Sequence, residues 1–93
     1  MKTYVIPAYN EEKTIGDVIS ALSDKVIVVD DASTDKTGQI AREHGATVLV
    51  NKKNMGHAKS LLRGLRAAKD EYVFYLDSDN QIKMISLPYG HDV

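Results

Sequence analysis

The sequence predicts an α/β fold with three layers, α/β/α, built on a parallel four-stranded sheet. Three observations carry the prediction. Four short apolar runs alternate along the chain with segments of helical periodicity. The second run, Val26-Ile27-Val28-Val29, is apolar at successive positions, as in a strand covered on both faces. Two of the intervening segments place apolar residues at i, i+3, i+4 and i+7.

Thr3 to Ile6 reads as the first strand. Ile15, Val18, Ile19 and Leu22 then form one face of a helix, for which Asn10 is a candidate cap. Lys25 to Val29 is the second strand. A weaker helical segment follows, with Ile40 and Ala41 on its buried side; Ser33 or Thr34 is its expected start and Gly45 its expected end. Ala46 to Val50 reads as the third strand. Ala58, Leu61, Leu62 and Leu65 mark the third helix, inside which Gly64 points to close packing against a neighbour. Glu71 to Leu76 is the fourth strand. The order β-α-β-α-β-α-β implies three right-handed crossovers. Lys83 to Val93 has no clear period, and Pro88 discourages a helix there. The expected division is a domain over residues 1–82 and a tail over 83–93, for which a mobile end, a short extra strand and a segment that pairs with a neighbour are the three readings.

With 93 residues the chain forms one domain with a thin core, since a chain of this size buries roughly 60–65% of its unfolded surface. Its 43% hydrophobic and 27% charged residues are those of a globular protein. Lys plus Arg number 12 against 13 Asp plus Glu, so the net charge of −1 supplies no field for gripping nucleic acid. The chain has no cysteine, which excludes disulfides and thiolate metal sites. No apolar run approaches the ~20 residues of a membrane span, and the N-terminus lacks a signal-peptide core. The expected location is the cytoplasm, with at most peripheral membrane contact.

In a sheet of this kind ligands gather beyond the carboxyl ends of the strands. There the sequence places PAYNEE, DDASTD, NKKNMG and DSDNQ. Glu11, Asp30, Asp31, Asp35, Asp77 and Asp79 would share one rim, where mutual repulsion raises carboxyl pKa values unless a cation arrives. Asp77, Asp79 and Gln81 alternate after an apolar strand, so extended backbone would send all three to one face, around one point fit for a metal ion. Oxygen ligands without cysteine or spaced histidines favour Mg²⁺ or Mn²⁺. Such an ion joins carboxylates to a diphosphate and improves it as a leaving group. Tyr9 is either a stacking face for a nucleobase or a partly buried loop tyrosine. His57 and Lys59, at the start of the third helix, receive no role. A P-loop would need glycine where Lys53 and Ala58 stand, and no G-x-G-x-x-G follows the first strand.

Taken together and in order, VIPAYNEEKTIGDVI, VIVVDDASTDKT, NMGHAKSLLRGL and YLDSDNQ resemble the nucleotide-sugar-binding half of the family 2 inverting glycosyltransferases, whose Rossmann-like domain is called the GT-A fold. Among them the resemblance is strongest to the polyprenyl-phosphate (dolichol-phosphate) mannosyl- and glucosyltransferases. It covers Thr3 to about Gln81. It implies that Pro7, Tyr9 and Glu11 line the base and ribose pocket, that Val29 packs beside it, and that Asp31 accepts a hydrogen bond from the base. Asp77 and Asp79 match the D-x-D that holds the metal, Mg²⁺ or Mn²⁺, and Gln81 matches a further ligand. The implied partners are a UDP- or GDP-linked sugar and a polyprenyl-phosphate or glycan acceptor, with transfer by inverting displacement.

The family continues into an acceptor-binding half that is not expected within these 93 residues, and the segment after Gln81 departs from the family's proline-containing turn and helix. The catalytic residues are therefore unknown from the sequence, and self-association is one expected way to complete the site. Two alternatives stand beside this reading. One is a nucleotide-binding module without transfer chemistry. The other is a receiver-like, Mg²⁺-dependent phospho-acceptor domain, against which the paired acids follow the second strand rather than the first.

Overall fold

The computed structural model describes residues 2–70, 72–77 and 81–86. Its elements run β1 (Thr3–Ala8), α1 (Ile15–Ala21), β2 (Lys25–Asp30), α2 (Thr37–Glu43), β3 (Thr47–Val50), α3 (His57–Ala67), β4 (Tyr72–Leu76) and β5 (Ile82–Ser86). Among the described residues the sheet has the order β3-β2-β1-β4-β5. β1 pairs in parallel with β2 and with β4, and β2 with β3.

The four expected parallel strands are all present, but the sheet is mixed and has five strands. β5 runs antiparallel to β4, with Tyr75 opposite Lys83 and Leu76 opposite Ile82. The reversal is short: the Asp77 N–H donates to the Gln81 carbonyl at 3.0 Å, closing a hairpin. A connection this brief can join only antiparallel neighbours, because a parallel return needs a crossover. Ile82, Met84 and Ile85 then supply apolar side chains to the added strand.

Side chains alternate across the sheet and build two cores. Ile6, Ala8, Val26 and Val28 face α1 and α2, where Ile15, Ile19 and Ala41 meet them. Val5, Ile27 and Val73 face α3 through Leu65 and Ala68. Val26 to Val29 are all buried, as their unbroken apolar run requires. Gly64 lets α3 approach the sheet: a Cβ there would overlap Val5 Cγ1 and lie 3.1 Å from Val29 Cγ2.

Helix ends depart from expectation in an informative way. α1 begins at Ile15, after a turn in which the Glu11 carbonyl accepts the Thr14 and Ile15 N–H groups. Asn10 does not cap it, because its side chain is committed to another loop. α2 begins at Thr37 rather than at Ser33 or Thr34, and Asp35 Oδ1 accepts the Thr37 N–H at 2.9 Å. Its end is as expected. Gly45 takes φ +90°, Ala46 N–H reaches the Ala41 carbonyl at 3.1 Å, and Gly45 N–H reaches that of Arg42 at 3.0 Å, the paired bonds of a Schellman ending.

Candidate active site at the switch point of the sheet

Strand order proceeds outward from β1 to β2 and β3, then returns to β4 on β1's other side. The reversal opens a crevice beyond the carboxyl ends of β1 and β4, where ligands bind in open α/β sheets. A cleft of about 730 Å³ lies there. Its apolar floor includes Ile6, Ile15 and Leu76, and its polar rim is formed by Tyr9, Glu11, His57 and Asp77.

The loop carrying Tyr9 and Glu11 is fastened to the loop after β2. The Asn10 N–H donates to Ser33 Oγ at 2.9 Å, and Asn10 Oδ1 accepts the Thr34 N–H at 2.8 Å. Glu11 N–H donates to Thr37 Oγ1 at 2.8 Å, and Glu12 N–H to Asp35 Oδ2 at 3.3 Å. Lys36 N–H returns a bond to Glu12 Oε2 at 3.2 Å. This clasp uses Asn10, Glu12, Ser33, Asp35 and Thr37 for architecture. Tyr9, 47% exposed, and the exposed Glu11 are left facing the cleft.

Asp31 has a different setting. It is only 4% exposed, and its carboxylate accepts Met55 N–H at 2.6 Å, Gly56 N–H at 2.9 Å and Asn51 Nδ2 at 2.8 Å. Asn51 Nδ2 also donates to Ser60 Oγ at 2.9 Å, and Arg63 Nη1 donates to Asn51 Oδ1 at 2.6 Å. Asp31 thereby ties the loop before α3 to the end of β2.

The expected repulsive rise in carboxyl pKa does not govern Asp31 or Asp35. Burial pushes the Asp31 carboxyl up, but the donors from Met55, Asn51, Gly56 and Ser60 outweigh it and hold the group below its ordinary value. At Asp35 the same opposition is resolved downward by the Thr37 hydroxyl, the Thr37 N–H and the Glu12 N–H.

The structure therefore brings Pro7, Tyr9, Glu11 and Asp77 together around the cleft. Val29, fully buried and opposite Pro7 in the sheet, and Asp31 stand outside its lining. Asp79 lies outside the described residues. Gln81 is exposed and uses its carbonyl to close the hairpin.

Two residues without a sequence-derived role converge on Asp77. Lys83 Nζ lies 2.6 Å from Asp77 Oδ2, and His57 Nε2 lies 3.8 Å from Oδ1. The alternation of strand side chains could have revealed Lys83 had the reversal after Asp77 been recognised. His57 carried no comparable signal.

Comparison with known proteins identifies relatives of the chain as a whole. The chain is 36% identical over 97 residues to an uncharacterized protein of Methanocaldococcus jannaschii, a match covering 90% of this chain and 42% of the relative. It is 34% identical over 87 residues to the 4,4'-diaponeurosporenoate glycosyltransferase of Staphylococcus aureus, covering 83% of this chain and 23% of that enzyme. The fold matches glucosyl-3-phosphoglycerate synthase of Mycobacterium tuberculosis, solved with Mn²⁺, UDP and glucosyl-3-phosphoglycerate. There the TM-score is 0.73 and the identity 34%, over 84% of this chain and 33% of that one. Mannosyl-3-phosphoglycerate synthase of Rubrobacter xylanophilus gives a TM-score of 0.72 at 28% identity, over 85% of this chain and 31% of that one. The chain thus has the GT-A fold of these synthases and spans about a third of their length. The profile of Glycosyl transferase family 2 matches residues 3–89, and the chain belongs to that family.

Proposed function

We propose that this chain binds a nucleotide-diphosphate sugar, with a uridine nucleotide favoured, as the donor-binding part of a glycosyltransferase using Mg²⁺ or Mn²⁺. The observation that carries the reading is the position of Asp77. It directly follows β4 on the rim of the switch-point cleft, with Tyr9 and Glu11 on the same rim, in a chain whose fold matches a synthase solved with Mn²⁺ and UDP.

The residues present fit such an ion. Among the described residues no group of three or more His, Cys, Asp or Glu could hold a metal unaided. Mg²⁺ is commonly held by one or two carboxylates plus substrate phosphates and water, and Mn²⁺ shares its preference for oxygen ligands. Asp77 would be one carboxylate and Asp79 the second, with Gln81 as a further oxygen ligand. When bound, the ion offsets the charge of the departing diphosphate.

Tyr9 offers a face to the base, Pro7 and Glu11 border the base and ribose, and Val29 supports Pro7 from the neighbouring strand. Asp31 is assigned a hydrogen bond from the base. In the transfer itself the bond from the anomeric carbon to the diphosphate oxygen breaks, and an acceptor oxygen bonds to that carbon from the opposite face with inversion. The acceptor's proton passes to a base outside the residues assigned here. Polyprenyl phosphate or a glycan is the acceptor class we favour, and a second copy of the chain is one way to supply its surface. Among the described residues no helix is long and apolar enough to cross a membrane. We place the activity in the cytoplasm.

Calorimetric titration with UDP and GDP, each with and without Mn²⁺, tests the reading, followed by solution mass on the same sample. Metal-dependent binding of UDP that is lost in Asp77→Asn is the expected result. Binding without turnover would favour the non-catalytic module. No nucleotide binding under any condition would overturn the donor-site reading.

A further inference from the structure

We propose that Lys83 is a resident counter-cation of Asp77, which a divalent ion must displace before it can take up that carboxylate. The proposal rests on the donor-site reading above and concerns the state of the site before metal arrives. Its ground is the β4–β5 hairpin. Lys83 stands opposite Tyr75, so the two side chains leave the same face of the sheet, and the next residue of the alternation beyond Tyr75 is Asp77. The register itself therefore brings the ammonium to the carboxylate, and the Asp77 N–H to Gln81 carbonyl bond holds that register at the tip.

The contact is direct. Lys83 Nζ is 2.6 Å from Asp77 Oδ2, the length of a short charge-assisted hydrogen bond, with the two side chains 42% and 29% exposed. His57 Nε2 approaches the other oxygen at 3.8 Å. Asp77 thus has the Lys83 ammonium on one oxygen and the His57 ring near the other. A dication and an ammonium repel one another at one carboxylate, and the lone pairs that Lys83 occupies are those a metal would use. Lys83 also answers the charge problem of the acidic rim: it gives the folded chain one fixed positive charge beside Asp77 when no ion is bound. Because the pair is largely solvated, its strength is modest and an arriving ion can displace it.

Mn²⁺ affinity in saturating UDP, followed by the paramagnetic resonance signal of free Mn²⁺, tests this in the parent chain, Lys83→Met and Lys83→Arg. Removing the ammonium should tighten Mn²⁺ binding by about two- to fivefold, the span set by the strength of exposed ion pairs. Lys83→Arg, which keeps the charge, should stay near the parent value. Circular dichroism and a thermal melt check folding, and Lys83→Gln replaces Lys83→Met if the latter fails to fold. Equal or weaker Mn²⁺ binding by the neutral variant, with metal-dependent UDP binding intact in the parent, would overturn the counter-cation and leave the donor site standing. Absence of Mn²⁺ and UDP binding in every variant and in the parent would overturn both.

Discussion

The side-chain carbonyl of Asn10 accepts the backbone N–H of Thr34 at 2.8 Å, across 24 residues of sequence. With the reciprocal bond from Asn10 N–H to Ser33 Oγ, it makes the loops after β1 and β2 one unit. The unit matters because Tyr9 and Glu11 flank Asn10 and form one side of the cleft. Holding those side chains in place before a ligand arrives reduces the ordering cost of binding.

Asn10→Ala should lower stability by about 1–2 kcal/mol. The variant removes the acceptor of the Thr34 N–H, worth about 1 kcal/mol, and asks alanine to adopt φ +52°, a left-handed conformation that asparagine tolerates better. Asn10→Gly separates the two effects, because glycine meets no penalty at that φ. Urea unfolding should rank the parent above Asn10→Gly and Asn10→Gly above Asn10→Ala. Coincident curves for all three would mean that the clasp contributes nothing to stability.

Ala32 offers the converse test. It has φ +61° in the turn where Asp30 Oδ1 accepts the Ser33 N–H at 3.0 Å. The left-handed conformation costs alanine about 1–2 kcal/mol, whereas glycine's extra unfolded-state freedom costs about 0.5–1. Ala32→Gly should therefore raise stability by roughly 0.5 kcal/mol, which for a domain of this size is a rise of about 2–4 °C in Tm. A lower Tm would show that the turn does not strain alanine.

Much of the fold was legible because burial on both faces leaves a simple record, as in Val26 to Val29. Gly45 was legible as a helix end because a positive φ after the last turn suits glycine. The site was legible mainly as composition. Glu11 and Asp77 share the cleft, as the strand-end rule implied, but Asn10, Ser33, Asp35 and Thr37 look the same on paper while joining loops to each other. Short polar side chains serve caps, turns and ligands alike, and only the partner across the loop decides which. The fifth strand was only one of three readings of the tail because its exposed residues, Ile82 to Met84, follow no burial pattern that one sheet face would impose.

Gly64→Ala should destabilise the chain by up to about 2 kcal/mol despite alanine's better helix propensity. The methyl group would enter the space of Val5 Cγ1, and Val5 is fully buried and cannot swing aside. Overpacking of this kind costs more than the ~1 kcal/mol that propensity returns. A shortened Val5→Ala partner should recover part of the loss in Gly64→Ala, and a double-mutant cycle measures that coupling. Additive effects would place the strain elsewhere.

Asp31→Asn should weaken the fold at neutral pH and flatten its response to acid. The Met55 and Gly56 N–H groups bond to the Asp31 carboxylate at 2.6 and 2.9 Å, and an amide has only one oxygen to offer them. Leaving one such donor poorly matched costs about 1–3 kcal/mol. The donors hold the folded carboxyl below its ordinary value of 3.8, against the upward push of burial, so the folded chain favours the ionised form. That stabilisation is complete above the unfolded pKa and drains away as pH falls through the folded one, in the region below about pH 4. Asp35 is shifted in the same direction, so some acid sensitivity should persist in Asp31→Asn. Unfolding free energies at pH 7 and at steps below pH 4 should therefore show the gap between parent and variant narrowing as the solution becomes more acidic. A gap that stays constant, or widens, would mean that the Asp31 carboxylate is not ionised in its bonds to the loop before α3.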